Sequence, residues 1–148
     1  MSDEVSTTAG LVVLQERVVN LIQQLQMPVV EVSLVVAKHI RQLLTSFESH
    51  ATEKGFEIPH EVKNPWPIEN GSMVSQQQFS LDKVLEIVDR DRMDILETLI
   101  RVSLIETGVN LVEGIAFLRS WEQLVRQQLS RIQQPGQLFS PLEIPHDW

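Results

Sequence analysis

A chain of 148 residues with 43% apolar and 22% charged side chains has the size and balance of one globular unit, which excludes global disorder and a fibrous architecture. The absence of cysteine excludes disulfides and thiolate chemistry and leaves any zinc site to histidine and carboxylates alone. A formal charge of −8 sets the molecule against nucleic acid, whose non-specific affinity comes from cations neutralising phosphates.

The best candidate for a local basic patch is Arg119, Arg126 and Arg131, with Glu122 among them. It reads as a solvated helix face. Asp3 and Glu4 stand where a secretory signal would place basic residues. No window approaches the ~20 consecutive apolar residues of a membrane span. A cytoplasmic location is expected.

Along the chain, Leu11, Leu14, Val18, Leu21 and Leu25 recur at the 3,4 spacing that lines one side of a helix. Ser6, Thr7 and Thr8 are its N-cap candidates and Pro28 marks its end. The stripe is narrow and regular, like a coiled-coil seam, with Gln15, Gln23, Gln24 and Gln26 on its other side. A second helix is predicted from Val29, Val32, Val36, Ile40, Leu43 and Phe47, stopping at Gly55. Residues 1–54 are expected to form a helical hairpin in which the two stripes cover one another; one long kinked rod is the alternative.

Residues 55–79 lose the pattern, punctuated by Pro59, Pro65, Pro67 and the turn dipeptide Asn70-Gly71. So long an irregular stretch is a linker or a functional loop. Trp66, between two prolines, is either a recognition element or a pin holding the loop to the core. Asn70-Gly71-Ser72 fits a glycosylation sequon but is read as a turn.

Residues 80–134 are predicted to be helical again. Ser80 is an N-cap for Leu81, Val84, Leu85 and Val88. Asp89-Arg90-Asp91-Arg92 is a turn or a charge-paired surface. Ile95, Leu96, Leu99, Ile100 and Leu104 follow. After Gly108, Asn110 stands three residues before Glu113, as in a capping box. Leu111, Ile115, Leu118, Val125, Leu129 and Ile132 then carry a stripe to Pro135-Gly136.

The alternative is a β-hairpin around 98–117, since Ile100, Val102 and Leu104 alternate with Arg101 and Ser103, and Val109, Leu111, Ile115 and Phe117 alternate around Asn110 and Gly114. The cap signal and the long downstream stripe favour helix. The fold is therefore expected to be mainly α, a bundle of four to five helices, with α+β as the alternative. The tail 135–148, with Pro141 and Pro145, is an arm for a partner or a strap across its own core.

Chemistry is sparse. His39, His50, His60 and His146 are the only histidines, and His50 with Glu53 does not make a metal site. No nucleophile elbow, phosphate loop, dinucleotide fingerprint or zinc-protease motif occurs. No catalytic, cofactor or metal residue is nominated. The expectation is a non-enzymatic protein-interaction or assembly factor with a candidate surface of Leu11, Leu14, Val18, Leu21, Leu25, Trp66 and Trp148. A homo-oligomer assembled through the seam, which Val18→Asp would disrupt, and a bundle holding a small ligand or metal are the alternatives.

Ser80-Leu81, Val84-Leu85, Arg101-Val102-Ser103-Leu104, Glu113 and Ser120 together make 80–126 resemble the small shell protein family of gas vesicles, over about a third of the chain. The resemblance implies a helix–strand–strand–helix unit and gas vesicle proteins as partners. Asp89-Arg90-Asp91-Arg92 replaces that family's Asp-Lys-Gly turn, and Asn110 and Gly114 weaken the second strand. The N-terminal half has no counterpart. These departures suit an accessory or assembly factor better than the wall protein.

Overall fold

The first apolar stripe forms a helix, α1 (Ser2–Leu25), that begins upstream of the expected Ser6–Thr8 caps. This and all that follows comes from a computed structural model describing residues 2–69 and 80–148, with side chains from residue 9 onward; the Asn70-Gly71 turn lies outside the described residues. Gln26 takes a left-handed φ of 48°, and Pro28, which lacks an N–H, then starts α2 (Val29–Lys54). Gly55 ends α2 as expected, its N–H bonding the Ala51 carbonyl at 2.8 Å. One short helix, α3 (His60–Lys63), interrupts the irregular segment.

The second half forms α4 (Leu81–Ile87), α5 (Arg90–Thr107) and α6 (Leu111–Leu129). A 3₁₀ turn (Pro135–Phe139) opens the final segment. The described residues hold six α-helices and no strand, so the molecule is a mainly α bundle of four long helices and two short ones. The β-hairpin alternative is overturned. Between α5 and α6 the backbone turns through Gly108, whose φ of 67° disfavours any side chain. Asn110 then caps α6 by accepting the Glu113 N–H at 2.9 Å. Local capping overrides the alternation of Ile100, Val102 and Leu104.

The two N-terminal stripes are covered mainly by the C-terminal helices. α1 lies along α5, while α2 packs against α6 and α5. One core unites Leu14, Val18 and Ile22 of α1 with Val32, Val36 and Ile40 of α2, Leu96 and Ile100 of α5, and Leu118, Trp121 and Val125 of α6. A β-carbon on Gly10 would stand 3.0 Å from the Thr107 carbonyl, a tight contact that glycine avoids where α1 runs close to the end of α5. Arg17 fastens the same pair, donating to the buried Ser103 hydroxyl at 3.0 Å.

Asp89 and Arg92 make the expected turn and more. Asp89 caps α5 by accepting the Arg92 N–H at 3.0 Å. The Arg92 guanidinium grips Glu31 with two bonds, Nε–Oε1 at 2.6 Å and Nη2–Oε2 at 2.7 Å. Glu31 is only 1% exposed and also accepts the Asp89 N–H at 3.1 Å. A buried carboxylate so fully paired ties the α4–α5 corner to α2.

The tail is a strap across its own core. Val29 donates to the Ser140 carbonyl and Leu142 to the Met27 carbonyl, both at 2.9 Å, pinning the segment over the α1–α2 turn. Leu138 and Leu142 are buried there.

His39 is 4% exposed, with Nε2 lying 3.2 Å from the Glu97 carbonyl. Burial lowers its pKa below the ordinary 6.5, opposed by the hydrogen bond and the charge of Glu97 and assisted by Lys38 and Arg101. The folded state therefore holds the ring neutral where the unfolded chain takes up a proton. This contribution to stability is present above pH 6.5 and is lost as pH falls through the lowered folded value. Urea denaturation at about pH 7.5 and 5.5 is expected to show a smaller pH loss for His39→Gln than for the wild type. Equal losses would refute the assignment.

Candidate interaction cleft

An open cleft of about 730 Å³ lies between α1 and α6. Leu11 and Val12 of α1, Ala116 and Phe117 of α6, Trp66 of the irregular segment and Trp148 of the tail supply its apolar lining. Its polar groups are Gln15, Ser120 and three carboxylates, Glu16, Glu113 and Asp147.

Each tryptophan is held in place by α6. The Trp66 indole donates to the Glu61 carbonyl at 2.8 Å, while its own carbonyl accepts from Arg126. Arg119 donates to the carbonyls of Val62 at 3.1 Å and Lys63 at 2.9 Å, and Gln123 to that of Pro67 at 2.7 Å. Gln127 pairs with both backbone groups of Glu69 at 2.9 Å each, as one strand residue would pair with another. Gln128 treats Glu143 in the tail in the same way. Trp148 beyond it meets Trp121 edge to face, with centroids 4.8 Å apart. Trp121 is anchored in turn by its indole N–H on Gln15 Oε1 at 2.8 Å.

This arrangement corrects the reading of Arg119, Arg126 and Arg131 as a solvated face. Arg119 is 4% exposed and Arg126 half-buried, both bonded to loop carbonyls; only Arg131 is exposed. A helix face bearing donors can serve a loop's backbone acceptors as well as water.

Of the expected surface residues, the structure brings Leu11, Trp66 and Trp148 together at the cleft. Leu14 and Val18 are core residues, 0% and 2% exposed, and Leu21 and Leu25 are half-buried against that core. The α1 stripe is a seam within the monomer. Val18→Asp would place an unpaired charge inside it and unfold the chain, so that substitution cannot report on self-association. Val12, Phe117 and the three carboxylates escaped sequence reasoning. Val12 stands beside the stripe, and Glu113 was visible as a capping residue and as part of the family resemblance, but not as part of a surface.

Other chemistry is thin. Among the described residues no group of three His, Asp or Glu side chains is arranged to hold a metal ion. His50, His60 and His146 are exposed. The Ser120 hydroxyl is engaged with the Phe117 carbonyl of its own helix at 2.6 Å. No described helix is long and apolar enough to cross a membrane. The Arg101-Val102-Ser103-Leu104 run that carried the gas vesicle resemblance lies within α5, so the strand pair implied for it is not formed. No protein-family model, curated protein or solved structure matches the chain at a significant level.

Proposed function

We propose that this chain is a non-enzymatic protein-interaction or assembly factor, acting in the cytoplasm and engaging its partner at the Trp66–Trp148 cleft. One observation carries the reading. Four separate segments deliver apolar side chains to a single solvent-open concavity, where Val12 stays 52% exposed and two tryptophans are held by backbone clamps. Contiguous apolar surface of this kind is characteristic of association sites, and buried tryptophans are frequent binding hot spots. The lining offers no histidine and no free hydroxyl, which favours binding over turnover.

Affinity capture from the native cells tests it. Val12→Asp changes an exposed position and leaves the core intact. It is expected to lower recovery of the specific partner by about tenfold, the usual scale for a central contact. Trp66→Ala is expected to act in the same direction. Undiminished recovery with both variants would sink the cleft as the contact surface.

A more particular form of the proposal, an accessory role in gas vesicle formation, rests on the resemblance of 80–126 alone. It requires the protein to travel with isolated vesicles or its deletion to reduce buoyancy. Normal buoyancy together with absence from vesicles would remove it.

A further inference from the structure

Resting on the cleft as a protein-docking site, we propose that its occupant is an arginine of a partner segment, flanked by an apolar residue. The charge distribution supports this first. Glu16 comes from α1, Glu113 from α6 and Asp147 from the tail, so three distant parts of the chain place carboxylates around one opening. All twelve lysines and arginines belong to the described residues, yet none lines the cleft. None of the ion pairs formed by the described residues involves these three acids. Like charges gathered around a partly apolar opening repel one another, and an incoming cation relieves that repulsion.

The aromatic content supports it second. Trp66, Trp148 and Phe117 offer ring surface beside the carboxylates. A cation over an aromatic face is attracted by the ring quadrupole, most strongly for tryptophan. The aliphatic stem of an arginine covers apolar surface while its head remains polar, which suits a cleft lined by Leu11, Val12 and Ala116 together with the three carboxylates. A planar guanidinium stacks on rings and forks onto carboxylates together, which a lysine ammonium does not. An acidic peptide meets repulsion from all three carboxylates.

The test uses the full-length protein and three matched amphipathic peptides, free of tryptophan and rich in leucine, whose charged positions are all arginine, all glutamine or all glutamate. Tryptophan fluorescence reports binding, because two of the three tryptophans line the cleft. The arginine peptide is expected to bind about tenfold more tightly than the glutamine peptide, with no binding of the glutamate peptide. Combining Glu16→Gln, Glu113→Gln and Asp147→Asn should abolish that preference without altering the melting curve. A control changing the exposed Glu48, Glu53 and Asp82 to their amides removes the same charge elsewhere and should keep the preference.

Loss of the preference in the control overturns the proposal by assigning the effect to net charge, and its survival in the cleft variant overturns it by placing the effect outside the cleft. Equal binding of all three peptides overturns the arginine assignment and leaves the docking site standing. No binding of the arginine peptide also overturns it; if Val12→Asp and Trp66→Ala both leave partner capture intact as well, the docking site falls with it.

Discussion

Arg92→Met is expected to destabilise the fold by about 3–5 kcal/mol, because it strands a carboxylate that only this guanidinium neutralises. Glu31 is 1% exposed and cannot turn to water, whereas the Arg92 side chain is 29% exposed. The pair is therefore asymmetric, and Glu31→Met should cost less, since the arginine left behind can reach solvent. The double variant, Glu31→Met with Arg92→Met, should recover most of the Arg92→Met loss, as apolar replacements of buried ion pairs often do. Urea denaturation of the four proteins closes the cycle. Against a total stability of about 5–15 kcal/mol, the single loss is large. A double variant no more stable than Arg92→Met would show that the residues act separately.

Trp121→Ala has a comparable expected cost, about 3–5 kcal/mol, for deletion of a large core aromatic. Trp121 is 1% exposed, stacks edge to face on Trp148 and bonds Gln15. Its removal opens a cavity where α1, α6 and the tail meet, and leaves the Gln15 amide and the Trp148 ring without their partner. Trp121→Phe keeps much of the packing and loses the indole bond, so it should fall between the wild type and the alanine variant. Chemical denaturation measures both, and the emission of Trp148 should shift toward that of a solvated indole in the alanine variant. A stability loss below about 1 kcal/mol would contradict the central place given to this ring.

Much of the secondary structure was legible because its signals are local. Pro28, Gly55, Gly108 and Asn110 each mark a boundary through one residue's own backbone or side chain, and the structure places boundaries at all four. The pairing of helices was not legible. The 3,4 stripe on α1 says that a face is buried but not what buries it, and the partner proved to be α5. Glu31 left a faint trace, a single acid within Val29, Val30 and Val32. Its counterpart lies 61 positions away, beyond any spacing rule. The cleft was half visible. Leu11, Trp66 and Trp148 were expected at a surface, but their meeting depends on α6 holding two irregular segments, which no periodicity records. Arg119 was misread because burial of its charge depends on loop carbonyls that only the folded chain brings near.

Gln127 and Gln128 are successive residues of one helix and so point about 100° apart. One amide fixes Glu69 and the other Glu143, so the two segments that carry Trp66 and Trp148 are anchored to the same helix. The aperture is consequently dimensioned before any guest arrives. A visitor finds its walls already ordered, and little of its binding energy is consumed in arranging them.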